Sequence, residues 1–150
     1  MIKVIVDTNI IFSSILNSNS TIGDLIFNSN PVFKFYSCNY MQSEIEKHWS
    51  KLKRISKLTD NNLNISRLKI FNHVYFINEE LVPEKTWLKA EQLVSKIDID
   101  DSDFVALTEY LKGKLWTGDK QLYNGLHRMH YKRVVNTQEL FTLRTKLTGK

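Results

Sequence analysis

Two aspartates directly follow short apolar runs, at positions where a carboxylate can serve chemistry as well as structure. Asp7 follows the β-branched run over residues 2–6, and Asp119 follows the run over residues 115–117 after a single glycine. Open α/β sheets bind ligands at the carboxyl ends of their strands, so both side chains are candidates for one site. Each aspartate alone is equally well explained as the N-cap of the next helix. Two acids from separate strands favour the site.

The densest group of acids lies between residues 98 and 103, where four of six residues are aspartates: Asp98, Asp100, Asp101 and Asp103. Apolar residues at helical spacing follow them, so the acids crowd the start of one predicted helix. A helix N-terminus favours each aspartate by roughly 0.3–1 kcal/mol, which explains one or two acids but not four. A bound divalent cation is the simplest offset for their repulsion.

A further acid lies in a helix predicted to open near Glu44 and to run to about residue 58. Its apolar stripe includes Met41, Ile45 and Leu52. At 100° per residue, Glu44 flanks this stripe whereas Glu46 points farther toward solvent. Glu44 is therefore the better candidate ligand, and Glu46 is interpreted as an exposed acid at the start of the helix.

Oxygen ligands of this kind select the hard cations Mg²⁺ or Mn²⁺ over softer metals. Zinc is disfavoured, since Cys38 is the only cysteine and provides no Cys-based site. Hard cations held by carboxylates can hydrolyse phosphodiesters, because the metal activates a bound water, orients the phosphate and neutralises the leaving oxygen. The pattern thus indicates a metal-dependent nuclease that needs no nucleophilic side chain.

The elements that would position these acids alternate between strand and helix. Short apolar runs at 2–6, 33–38, 74–77, 115–117 and 134–135 are typical of buried parallel strands. Helical signals lie between them: a capping box at residues 136–139, an apolar face that follows Pro83 and extends to about residue 97, and an asparagine-rich turn at residues 60–62. The fold class is therefore α/β, a sandwich around a mainly parallel sheet of about five strands.

Composition places the chain in the ordinary range of one soluble domain, residues 1–150. It is 42% hydrophobic and 25% charged, and its net charge of +5 with a pI near 9.3 weakly favours anionic partners such as nucleic acid. A single cysteine allows no internal disulfide and fits the cytoplasm. The apolar run at the N-terminus is stopped by Asp7, so neither a signal peptide nor a membrane segment is expected.

The order of these motifs resembles that of the PIN domain family, over residues 2 to about 140. The residues that carry the resemblance are Val6-Asp7-Thr8-Asn9, Ser43-Glu44-Ile45, Asp101 before Phe104-Val105-Ala106-Leu107, and Trp116-Thr117-Gly118-Asp119. The resemblance implies a three-layer α/β/α sandwich and a Mg²⁺- or Mn²⁺-dependent endoribonuclease. Many such domains are VapC-type toxins, so a small antitoxin protein and a homodimer are implied partners, with RNA as substrate and no membrane association.

Carried over by motif, the resemblance implies roles for individual residues. The implied catalytic metal ligands are Asp7, Glu44, Asp101 and Asp119. Asp103 would be an auxiliary ligand, with Asp100 as a one-residue alternative in register. Supporting polar roles fall to Thr8, Asn9 and Thr117.

Basic residues near these motifs are candidate nucleic-acid contacts. Lys47, Lys51 and Arg54 fall at i, i+4 and i+7 of the predicted helix, and Lys120 directly follows Asp119. Lys120 opens a second basic group that continues through His127, Arg128, His130, Lys132 and Arg133. The alternative for both groups is a solvated helix face.

Three other functions compete with an endoribonuclease. A phosphatase of the haloacid-dehalogenase type needs a second aspartate two residues after the first, and that position is Asn9. A DNA flap or single-strand nuclease would use the same ligands and stays open. A non-catalytic module that binds RNA or a partner is disfavoured, because unpaired acids around an empty site would carry a cost without a benefit.

Overall fold

The computed structural model describes residues 1–149, which form one five-stranded sheet with helices on both faces. The strands are β1 Ile2–Val6, β2 Phe33–Cys38, β3 Val74–Ile77, β4 Lys114–Trp116 and β5 Val134–Val135. All neighbouring pairs are parallel, in the order β3-β2-β1-β4-β5. The α/β class and the parallel sheet predicted from the sequence are confirmed.

Nine α-helices connect or flank the strands in the described part of the chain. They are α1 Thr8–Leu16, α2 Thr21–Asn28, α3 Asn39–Lys47, α4 Trp49–Ser56, α5 Asp60–Phe71, α6 Glu84–Val94, α7 Ser102–Leu111, α8 Lys120–Arg128 and α9 Thr137–Thr148. Two 3-10 helices, Glu79–Leu81 and Ile99–Asp101, precede α6 and α7. Within residues 1–149 no helix combines the length and the apolar character that a bilayer crossing requires.

Burial of β1 on both faces explains the layered arrangement. Val4, Ile5 and Val6 are all fully buried although successive side chains point to opposite faces of the sheet. Helix α7 packs against β1, β2 and β4, and α6 packs against α7. Helix α1 contacts α2, α3, α4 and α5. A continuous apolar strand therefore selects a parallel sheet that helices cover on both sides.

Two local predictions from the sequence are wrong. The helix predicted from near Glu44 to residue 58 is two helices, because His48 leaves the helical conformation (φ −104°, ψ 16°) and ends α3 before α4 begins. The predicted turn at residues 60–62 is the first turn of α5. The Thr59 side chain caps that helix by accepting a hydrogen bond from the Asn62 N–H, so the chain turns before Asp60.

Candidate active site

The carboxyl ends of β1 and β4 lie side by side at the centre of the sheet. Val6 is paired with Trp116, and the Asp7 N–H donates to the Trp116 carbonyl at 3.3 Å. The next residues, Asp7 and Thr117, are 4% and 1% exposed, although both are polar. The strand register therefore brings these two side chains together, as the positions of the motifs in the sequence predict.

Both carboxylate oxygens of Asp7 accept hydrogen bonds. Oδ1 accepts from the Ile10 N–H at 3.0 Å, which caps α1, and Oδ2 accepts from the Thr117 hydroxyl. Burial raises the pKa of Asp7 to about 6, and the charge of Asp119 adds to that rise, whereas the bonds from Thr117 and Ile10 oppose it. Asp7 is thus both a helix cap and a carboxylate whose ionised form is costly in this environment.

Asp119 is held next to Asp7 through the same threonine. The Asp119 N–H donates to Thr117 Oγ1 at 3.0 Å, while its own Oδ1 accepts from the N–H groups of Gln121 and Leu122 at 2.9 and 3.3 Å. These bonds cap α8 and fix the carboxylate. Oδ2 of Asp119 has no hydrogen bond within residues 1–149, so one oxygen stays available to a ligand.

A third acid, Asp101, comes from a different segment, at the end of the second 3-10 helix and directly before α7. Its Oδ2 is buried and has no hydrogen-bond partner among the described residues. Burial raises the pKa of Asp101 to about 7, with further contributions from the charges of Asp98, Asp119 and Asp7. Asp100, the alternative in register, is exposed. The structure therefore places Asp101 rather than Asp100 against Asp7 and Asp119.

A second group of acids adjoins the first and contains Glu44, Asp103 and Glu79. The Thr8 hydroxyl donates to Glu44 Oε1 at 2.8 Å, which ties this group to the residue after Asp7. Burial raises the pKa of Asp103 to about 6, and the charges of Glu79 and Glu44 raise it further. Glu44 is half-buried whereas Glu46 is exposed, as their positions on the helix predict.

Glu79 is a member of this site that the sequence analysis missed. It begins the first 3-10 helix, two residues after β3, and its Oε2 accepts a hydrogen bond from the Tyr40 N–H at 3.1 Å. An acid just beyond the carboxyl end of a strand is the signal that singled out Asp7 and Asp119. Applied to β3, the same signal would have found Glu79.

The tightest group of possible metal ligands within residues 1–149 is not the predicted set. Cys38, Glu79 and Asp103 have ligand atoms within 4.8 Å of one another, a spacing that Asp7, Asp101 and Asp119 do not meet. Burial raises the pKa of the Cys38 thiol to about 12, and hard cations such as Mg²⁺ prefer oxygen ligands to sulfur, so Cys38 is a poor ligand for them.

The remaining predicted residues lie around this edge. Thr8 contacts Glu44, but the Asn9 side chain is exposed, and its backbone N–H is the group that reaches Asp7. Four basic candidates are exposed: Lys47, Lys51, Arg54 and Lys120. Because α3 ends at Lys47, the first of them lies on a different helix from Lys51 and Arg54, contrary to the prediction of one continuous face.

Comparison with known proteins agrees with this architecture. The family model of the PIN domain matches residues 5–140, so the chain belongs to the PIN domain family, whose members are generally nucleases. VapBC2 from Rickettsia felis, bound to a DNA fragment from their promoter, is 14% identical (TM-score 0.65; 89% of this chain and 98% of that chain covered). PAE2754 from Pyrobaculum aerophilum is 12% identical (TM-score 0.66; 99% and 91% covered). No curated protein sequence matches the chain.

Proposed function

We propose that this protein is a metal-dependent endoribonuclease that hydrolyses RNA phosphodiester bonds. The observation that carries the proposal is the buried Oδ2 of Asp101, which has no hydrogen-bond partner within residues 1–149 and belongs to a carboxylate whose pKa is raised by burial and by the charges of Asp119 and Asp7. Among these residues no lysine or arginine forms an ion pair with any of the three acids. An external cation is the simplest group that offsets such a charge.

The donor set fits Mg²⁺ or Mn²⁺. Asp7, Glu44, Asp101 and Asp119 would hold the cation and Asp103 would assist, because all offer carboxylate oxygens, the ligands of hard cations. When bound, such a cation lowers the pKa of a coordinated water and neutralises charge on the phosphate. Residues 1–150 would act as one nuclease domain.

The polar residues of the site have separate positioning tasks in this proposal. Thr117 fixes Asp7 by donating to Oδ2, and Thr8 fixes Glu44 by donating to Oε1. The helix cap leaves one oxygen of Asp119 free to face a ligand. Positioning residues of this kind typically change metal affinity or activity by about 10- to 100-fold. Of the basic residues, Lys120 would contact the phosphate next to the scissile bond.

The cellular setting is proposed by likeness of fold. The chain is similar in fold to VapBC2 bound to a promoter DNA fragment. From this likeness and from the resemblance to VapC-type toxins, we infer a small antitoxin protein and a second copy of the chain as partners of this protein in the cytoplasm. Lys47, Lys51 and Arg54, which are exposed beyond Glu44, would bind the RNA backbone before the cleavage site.

A metal-by-substrate panel tests the function. Purified protein is incubated with single-stranded RNA, single-stranded DNA or a DNA flap, each with Mg²⁺, Mn²⁺ or chelator, and Asp7→Asn serves as the inactive control. Cleavage of RNA alone, in the presence of either metal, supports the proposal. Cleavage of DNA in preference to RNA would instead assign a DNA flap or single-strand nuclease. Binding of RNA without turnover in any metal would assign a non-catalytic module.

A further inference from the structure

The end of the sheet opposite the acids carries a concentration of positive charge. Three chain segments meet there: the start of β1, the turn from α7 to β4, and the approach to β5. They form a depression of about 730 Å³ whose lining includes Lys3, Lys112, Lys114, Lys132 and Arg133. We call these five residues the basic face. They are far apart in the sequence, so only the fold reveals the surface.

Backbone contacts hold the basic face in a fixed shape. A Cβ added at Gly113 would lie 2.6 Å from the Lys3 carbonyl oxygen, so only glycine permits the turn to pack against β1. Lys114 is paired with Val4 across the sheet, and the Leu115 N–H donates to the Arg133 carbonyl at 2.8 Å. The cationic side chains therefore project from a preformed scaffold and not from a mobile loop.

The charge of this surface is not neutralised by the protein. Within residues 1–149 none of Lys3, Lys112, Lys114 and Lys132 forms an ion pair. Arg133 contacts Glu109 at 3.2 Å, but Glu109 also pairs with a lysine of α6. The single negative charge of Glu109 is therefore shared by two cations and does not neutralise the four lysines. Convergent like charges repel one another unless an anion lies between them, which makes the basic face a candidate anion-binding surface.

The chemistry of the surface favours a nucleic acid over a protein partner. Interfaces with nucleic acid are polar and strongly positive, whereas the core of a protein interface is apolar and depleted of charge. Of the described residues that line the depression, Met1 is the one large apolar side chain that is exposed. Repeated phosphates match a row of lysines better than the scattered carboxylates of an acidic protein do.

We propose that the basic face binds the phosphate backbone of the RNA at a distance from the cleavage site. The identity of the ligand as RNA rests on the proposed function. The basic face and Asp7 lie at opposite ends of β1, so an RNA that occupies both places must follow the outside of the domain from one end of the sheet to the other. The protein would then bind long or structured RNA more tightly than short RNA.

Fluorescence anisotropy with labelled RNA tests the proposal, using one RNA of about 6 nucleotides and one of about 30. Chelator is present throughout, and gels confirm that the RNA stays intact. The variant Lys3→Gln/Lys112→Asn/Lys132→Gln removes three exposed charges, and asparagine suits the left-handed conformation at Lys112 (φ 55°). The matched control, Lys69→Gln/Lys85→Gln/Lys146→Gln, removes three exposed charges elsewhere.

The basic-face variant should bind the long RNA about 10-fold more weakly than the parent. The slope of log K against log salt is negative, and its magnitude should decrease by about 2 in this variant. Binding of the long RNA by the control variant should change less than about 2-fold, and the basic-face variant should lose less affinity for the short RNA than for the long one. Equal losses in both triple variants, or none in the basic-face variant, would overturn the proposal. So would binding of vesicles rich in phosphatidylserine through these lysines without binding of RNA.

Two further measurements keep the outcomes distinct. If the triple variant unfolds at a lower urea concentration than the parent, Lys132→Gln alone is tested, with an expected slope change of about 0.7; an unchanged slope overturns the proposal. Length-dependent binding through the basic face without RNA cleavage in any metal refutes the proposed function and leaves the surface standing. If the parent cleaves RNA but the triple variant binds the long RNA as tightly as the parent does, the proposed function stands and the basic-face proposal is refuted.

Discussion

Replacing Asp7 by asparagine should stabilise the metal-free protein, although it removes a central acid of the site. The Asp7 side chain is 4% exposed, and burial raises its pKa from 3.8 to about 6. A tenfold change in proton affinity corresponds to about 1.4 kcal/mol, so keeping this carboxylate ionised at neutral pH costs about 3 kcal/mol. Asparagine carries no charge and is also an effective N-cap for α1.

The sign of the pH dependence follows from the raised pKa. Between pH 3.8 and about 6 the folded protein retains a proton on Asp7 that the unfolded chain has lost, so stability decreases as pH rises through this window. Below the window both states are protonated and the cost is absent. Asp7→Asn should therefore exceed the parent in unfolding free energy by roughly 1–3 kcal/mol at pH 7.5, and by much less at pH 4.

Urea unfolding in chelator at several pH values measures this difference. Glu91→Gln, at an exposed position of α6, is the control for the loss of one negative charge and should follow the parent. With Mg²⁺ or Mn²⁺ the order should change, because the cation stabilises the parent by binding its folded state and Asp7→Asn binds it weakly. The reasoning is refuted if the asparagine variant is less stable than the parent at pH 7.5 without metal, or if both have the same pH profile.

Three further substitutions test the supports of the site and fold. Thr117→Val removes the donor to Asp7 and should weaken metal affinity and cleavage by about 10-fold or more. Thr117→Ser keeps the hydroxyl, so its metal affinity and cleavage rate should stay near those of the parent. Calorimetry measures the metal affinity, and turnover of RNA measures the cleavage rate. Gly125→Ala places a methyl group 2.6 Å from Ile97 Cδ1, with an expected loss of roughly 1–3 kcal/mol in urea unfolding that adding Ile97→Ala should partly recover. Arg144→Met leaves buried acceptors on and after α2 without their donor and should cost about 2 kcal/mol or more; an unchanged urea midpoint would contradict that.

The five strands were predictable because each is a short apolar run that is buried in a parallel sheet. Four of the runs coincide with the observed strands, and β4 begins and ends one residue earlier than predicted. Helix α5 was not predictable in this way. Between its buried Leu63 and Ile70 lie Ile65 and Leu68, which are 44% and 51% exposed, so no single apolar stripe marks its face.

The predicted site was accessible from the sequence only in part. Strand ends identified Asp7 and Asp119, and clustering identified the segment that contains Asp101. Which aspartate of that segment is buried depends on the turn of the 3-10 helix, and a one-residue difference there is invisible to apolar spacing. Glu79 lies two residues after β3 and was open to the same strand-end signal, but its contact with Asp103 joins segments that are 24 residues apart and was not predictable from the sequence. The roles of all these acids in metal binding stay predictions.

The two interpretations that the sequence allowed for Asp7 and Asp119 are not alternatives. In each residue one oxygen caps a helix by accepting backbone N–H groups. The second oxygen of Asp7 accepts from the Thr117 hydroxyl, and the second oxygen of Asp119 has no hydrogen bond within residues 1–149. Capping fixes the side chain at the carboxyl end of its strand, and this fixed carboxylate is what a hard cation with strict geometry needs. The helix that follows each strand thus acts as the positioning device for the acid between them. A variant that loosens α1 or α8 near its cap should therefore weaken metal binding before it weakens the fold.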